Sequence, residues 1–154
     1  MKYQTVDSLE DFSFAQAAIF DTEYTSSHIR LQLANVTISS SNEHNRDIMD
    51  MRTNDLILTF ESPMILSILK EGYKIYDANE QLIEEIPDKI ISDDEYTSII
   101  QSLPESFIYS IDILSKEHCV INIDTENDNT SYRIELMFQH SIVQWDRFLK
   151  KEFV

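Results

Sequence analysis

The sequence predicts an α+β fold built predominantly of antiparallel β-sheet, a meander or a partly closed barrel, with one or two short covering helices. Three observations carry that expectation. Apolar and polar residues alternate in three successive segments between Phe107 and Phe138, joined by short polar connections. Helical spacing of apolar residues is clear over Tyr96 to Leu103, directly ahead of those segments. Glycine occurs once, at Gly72, so folds that need glycine-rich phosphate loops, dinucleotide fingerprints or serine elbows cannot be written on this chain.

From the amino terminus, Asp7 is placed to cap a short turn, and Phe12, Phe14, Ala18 and Phe20 at even spacing predict a strand through FSFAQAAIF. In HIRLQLANVTIS, Ile29, Leu31 and Leu33 share one parity and Val36 and Ile38 the other, which predicts a bulge or bend near Ala34 and Asn35. Residues 40 to 54, SSNEHNRDIMDMRTN, are polar enough to read as a long loop. Asp55 to Phe60 reads as a nearly continuous apolar strand with both faces covered. After Pro63, MILSILKEGYKIYD predicts a strand pair turning near Glu71 and Gly72, with Tyr73, Ile75 and Tyr76 in the return; a short helix over Met64 to Lys70 competes with it.

Residues 77 to 95 carry eight acids against one lysine, with Leu82, Ile83, Ile86, Ile90 and Ile91 interleaved, a mixture unlike a disordered acidic tail. Ser92-Asp93-Asp94-Glu95 then has capping-box spacing, Tyr96, Ile99, Ile100 and Leu103 form a helical stripe, and Pro104 stops it. In FIYSIDIL the face of Phe107, Tyr109, Ile111 and Ile113 is expected to be buried. Cys119, Ile121 and Ile123 continue that face after a short join, and Tyr132, Ile134, Leu136 and Phe138 extend it beyond the polar loop from Thr125 to Ser131. At the carboxyl end, Ser141 to Gln144 has capping-box spacing with Ile142, Trp145, Phe148 and Leu149 on one helical side, yet alternation also permits a strand, so 142 to 153 stays open between the two. Turns that need positive φ are expected at Asn42, Asn54, Asn79, Asn127 and Asn129.

The chain has 154 residues and no linker or repeat, which predicts one domain over residues 1 to 154. Its net charge is -16, from 28 acidic and 12 basic side chains, which opposes nucleic acid and anionic membranes and favours a basic partner. A single cysteine excludes an intrachain disulfide and suits a reducing compartment. The amino terminus is charged from its start and no run approaches the length of a membrane helix, so a cytoplasmic protein is expected.

No catalytic constellation, cofactor motif or metal-ligand spacing stands out. His28, His44, His118 and His140 are scattered, and only proximity speaks for Glu43, His44 and Asp47 as a metal cluster. Cys119 beside His118 would point to the opposite face of a strand, so Cys119 reads as a small buried hydrophobe. Trp145 with Arg147 and Phe148 suits either an interface or the core. The partner-binding residues expected from charge density are Glu84, Glu85, Asp88, Asp93, Asp94 and Glu95.

Together the strands HIRLQLANVTIS, DLILTFE, FIYSIDIL and YRIELMF, closed by the tail SIVQWDRF, give a layout that resembles the immunity proteins of bacterial polymorphic-toxin systems. The resemblance implies a small single-domain protein that binds and neutralises a cognate toxin, frequently a basic nuclease. It implies occlusion of the toxin's active site, with carboxylates standing where substrate phosphates would sit. Competing expectations are a barrel for a small molecule or lipid, with an interior cavity, and an enzyme gathering His28, His44 or His140 with two acids in a cleft. A homo-oligomeric scaffold would instead show a large self-complementary apolar patch.

Overall fold

The computed structural model describes residues 1–125 and 130–150, so Asn127 and Asn129 and the last residues of the unresolved carboxyl-end question lie outside the described residues. Among the described residues the strands are β1 (Tyr3–Val6), β2 (Phe12–Ser13), β3 (Ala17–Tyr24), β4 (His28–Ala34), β5 (Val36–Ile38), β6 (Met51–Thr53), β7 (Leu56–Glu61) and β8 (Met64–Lys70). They continue with β9 (Tyr73–Tyr76), β10 (Leu82–Ile86), β11 (Lys89–Ile90), β12 (Phe107–Ser115), β13 (His118–Thr125), β14 (Thr130–Met137), β15 (His140–Trp145) and β16 (Leu149–Lys150), with one helix, α1 (Tyr96–Gln101). All pairings are antiparallel, in a ten-stranded sheet of order β1-β15-β7-β4-β3-β12-β13-β14-β8-β11, a four-stranded sheet β16-β6-β5-β2 and a two-stranded sheet β10-β9. The fold is α+β and mostly antiparallel β, and the large sheet ends on β1 and β11 as separate edges rather than closing into a barrel.

Two corners roll the large sheet. β7 runs into β8 through Ser62-Pro63, and β14 into β15 through Phe138-Gln139, while pairing register is kept from Gln144↔Ile57 to His140↔Glu61 and on to Met137↔Met64 and Leu136↔Ile65. Ser62 takes φ 49, and its amide donates to the Ser27 carbonyl while Gln139 N–H donates to that of Glu61. Apolar side chains from both halves then meet in one cluster that includes Leu31, Leu58, Ile68, Ile121, Leu136 and Trp145, with the rings of Phe60 and Phe138 4.8 Å apart across the corners.

β13 and β14 bury the predicted face, from Cys119 to Ile123 and from Ile134 to Phe138. β12 departs from expectation. A register shift between Ile108 and Ser110 makes Tyr109 an extra residue, so Ile108 is buried and Tyr109 is 61% exposed, while Ile111 returns to the core beyond the bulge. The strand predicted through FSFAQAAIF is broken as well: Gln16 at φ 69 turns the chain after β2, so Ala17 and Ile19 face the core and Phe20 faces solvent. Asn35 at φ 60 makes the predicted bend, and there the chain leaves the large sheet in β4 to enter the four-stranded sheet in β5.

The loop over 40 to 54 is shorter than predicted because Met51–Thr53 pairs with Val36–Ile38. Buried Asn45 pins the rest, its amide donating to the Ile38, Ser39 and Met49 carbonyls. Positive φ falls on Asp7, Gln16, Asn35, Ser62, Glu80 and Glu105, and not on Asn42, Asn54 or Asn79. Asn42 and Asn54 instead use side-chain oxygens to accept the amides of His44 and Asn35. α1 has six residues and lacks the predicted capping box, since the Ser92 hydroxyl donates to Asp94. Over 140 to 145 the chain is strand, held by β7 on one side and β1 on the other, so tertiary pairing overrides the local helical spacing.

Candidate functional site

The most unusual element is an arm formed by β9 and β10. β8 is a strand rather than a helix, but β9 does not return along it: β8 pairs with β14 and β11, and among the described residues β9 pairs only with β10. Gly72 sits where the arm leaves the body. A Cβ there would lie 1.9 Å from the Ile86 carbonyl oxygen and 2.5 Å from the Pro87 carbonyl carbon, so the sole glycine serves a close backbone crossing rather than a turn. Gly72 N–H donates to Asp88 Oδ1 at 2.6 Å and locks this root. At the tip, Asp77 Oδ1 accepts the amides of Asn79 and Gln81, at 2.8 and 2.9 Å, and Glu80 takes φ 62.

From Tyr73 to Ile90 every residue except Asp77 is exposed. Tyr73, Ile75, Tyr76, Leu82, Ile83 and Ile86 are each between 41% and 65% exposed, so six large apolar side chains stand in water on an element that adds nothing to the core. Cross-strand pairing sorts them. Tyr73↔Ile86 and Ile75↔Glu84 share one face; Lys74↔Glu85 and Tyr76↔Leu82 share the other, with Ile83 the extra residue at the register shift.

The six acids predicted to bind a partner occupy two places. Glu84, Glu85 and Asp88 lie on the arm; Asp93, Asp94 and Glu95 form a 3-10 turn leading into α1, which packs on β3 in the middle of the large sheet. All six are exposed, but their engagements differ. Glu85 lies 3.7 Å from Lys74 Nζ, Asp88 holds the arm's root, and Asp94 accepts from Ser92. Among the described residues the Glu84 carboxylate makes no hydrogen bond and no ion pair, whereas its backbone pairs with Ile75. Interleaved acids and apolar residues were visible in the sequence, but the absence of cover on either face was not, because it depends on where β9 finds its partner.

The histidines are held apart by different acids. His140 Nδ1 is 2.8 Å from Asp7 Oδ2, His118 Nε2 is 3.3 Å from Glu135, His44 Nε2 is 3.5 Å from Glu43, and His28 Nε2 contacts Glu23. No group of three or more His, Cys, Asp or Glu placed to hold a metal occurs among the described residues. Ser27 Oγ lies 3.3 Å from His28 Nδ1, which gives Ser27, His28 and Glu23 the order of a proton relay. That serine is a turn residue, however: its Oγ is 3.0 Å from Thr25 Oγ1, which accepts the amides of Ser27 and His28 between β3 and β4.

Burial, and then the charge of Asp112, push the Cys119 thiol up to about 12, the behaviour of an inert core residue. Trp145 is fully buried and belongs to the core, with its ring against Tyr3, Phe12, His44 and Phe148. Beside it, Tyr3, Glu43, His44, Asp47 and Phe148 line an open depression of about 400 Å³. A second depression, of about 540 Å³, lies on the outer face of β12 and β13 between Tyr109, Asp112, Asp124 and Glu71. No helix among the described residues is long and apolar enough to cross a membrane. Comparison with protein-family models, with curated proteins and with solved structures gives no match for this chain.

Proposed function

We propose that the chain is a non-catalytic binding protein that acts in the cytoplasm on a basic protein partner, in the manner of an immunity protein that occludes a toxin. The single observation that carries this reading is the arm, whose exposed apolar side chains stand beside Glu84 and Glu85 on a chain of net charge -16. An isolated two-stranded hairpin is marginally stable in water. A partner that covers it supplies the missing burial, and the surrounding acids raise the rate at which a cationic partner arrives.

The test has two stages. Capture from the source cell at low and high salt identifies a basic partner, and stopped-flow mixing then measures association with the wild type and with a variant carrying Glu84→Gln, Glu85→Gln, Asp93→Asn and Asp94→Asn. The expected result is a fall in association rate of about tenfold or more at low salt, with stability changed by less than about 0.5 kcal/mol. An unchanged rate overturns the acidic docking face. Because the two acid groups sit on different elements, the paired variants at 84/85 and 93/94 show which one steers.

A further inference from the structure

We propose that the arm face bearing Tyr73, Ile75 and Ile86 receives an arginine-bearing β-strand of the partner, and that Glu84 is the residue that takes its guanidinium group. This inference rests on the reading of the chain as a binder of a basic protein. It narrows that reading to one face, one edge and one carboxylate.

The face is singled out by its charges. On the opposite face the carboxylate of Glu85 is already matched by Lys74, at 3.7 Å. Glu84 has no such match among the described residues, and it stands directly across from Ile75 with Tyr73 and Ile86 on the same face. A carboxylate framed by apolar side chains loses water when the face is covered, and an ion left there without a counter-charge is costly. The covering segment must therefore bring a cation. Arginine fits better than lysine, because its planar guanidinium binds a carboxylate in a bidentate fashion and lies flat against an aromatic ring, here Tyr73.

The edge is singled out by backbone geometry. Among the described residues β9 and β10 pair only with each other, so each has one free edge there. The register shift at Ile83 distorts the edge of β10, whereas β9 is regular from Tyr73 to Tyr76. A regular unpaired edge accepts an added strand through main-chain hydrogen bonds, with alternate side chains reading the face. Glu84 on β10 then lies two strand spacings of about 5 Å away, a gap that an extended arginine and glutamate span together over Ile75. A second copy of this chain is a poor occupant, since it carries the same net charge of -16 and brings a further unmatched Glu84 instead of a cation.

The experiment titrates the full chain, labelled with ¹⁵N, with a short capped peptide of alternating valine and threonine bearing one central arginine, and with its lysine and glutamine counterparts. Amide shifts confined to residues 71 to 88 are expected, with the arginine peptide binding about tenfold more tightly than the glutamine peptide. Glu84→Gln should abolish that preference, and Glu85→Gln should leave it. Shifts centred elsewhere, no shifts at all, or equal effects of the two substitutions overturn the inference. If the arginine peptide binds away from the arm, this inference fails while the basic-partner reading stands. If the arm binds all three peptides alike, this inference fails, and the basic-partner reading falls with it only when the paired acid variants also leave the association rate with the partner unchanged. Sedimentation that shows self-association, abolished by Ile75→Lys, assigns the face to a second copy and overturns the inference as well.

Discussion

At the scale of single residues, the contact between the two ends of the chain is also its clearest pH-sensitive feature. Asp7, at φ 57, accepts the Ser141 amide on Oδ1 and meets His140 Nδ1 with Oδ2. Partial burial works to raise the Asp7 carboxyl, but hydrogen bonds from His140 and Ser141 outweigh it and hold that carboxyl below its ordinary value. The hydrogen bond to Asp7, and then its charge, raise the His140 imidazole above its ordinary value. Stability contributed by the histidine is complete below 6.5 and is lost as pH rises through its raised value. Stability contributed by the aspartate is present above 3.8 and is lost as pH falls through its lowered value. Asp7→Asn keeps the left-handed backbone and the amide acceptor and removes only the charge. Urea denaturation should therefore show the largest gap between wild type and variant between pH 3.8 and 6.5, closing towards alkaline pH. A gap that does not vary with pH excludes the ion pair as a source of stability.

At the scale of elements, the arm and the body should respond separately to substitution, because the arm contributes no residue to the core cluster. Gly72→Ala places a methyl group against the backbone of Ile86 and Pro87, where no flexible side chain is available to move aside. Amides from Tyr73 to Ile86 are expected to lose hydrogen-exchange protection by about tenfold or more, while those of β7, β13 and β14 keep theirs. Loss of protection throughout would show that the arm is structurally coupled to the body. The sequence disclosed the body far better than the arm, for a physical reason. β13 and β14 bury Cys119, Ile121, Ile123, Ile134 and Leu136 on one face, with Val120 buried on the other, and pair with each other across a short connection, so a period of two is enough to place them. The inward face of β12 was misread because Ile108 and Tyr109 are both apolar, and a bulge between them lets either parity reach the core. Ser141 to Gln144 has the spacing of a helix start, but two neighbouring strands claim the segment. For the candidate site, the acids and their apolar company were legible, whereas Glu84's lack of a counter-charge followed only from the cross-strand register that gave Lys74 to Glu85.

At the scale of the whole molecule, Trp145 is where the sheets are joined. It sits in β15 next to Tyr3 of β1, its ring meets Phe12 of β2 in the four-stranded sheet, and Phe148 and His44 close over it. Trp145→Ala empties that junction and should cost about 3–5 kcal/mol. Trp145→Phe should cost distinctly less, because Trp145 Nε1 is buried with no hydrogen-bond partner among the described residues. Losing that N–H removes a desolvated donor that stands to return about 1–3 kcal/mol against the lost ring contacts. Urea unfolding followed by circular dichroism compares the two variants, and in the wild type the sole tryptophan reports the same transition by fluorescence. If phenylalanine costs as much as alanine, the indole N–H is satisfied in solution. If it costs little, the junction is held by ring packing alone, which a phenylalanine at 145 shares with Tyr3, Phe12 and Phe148.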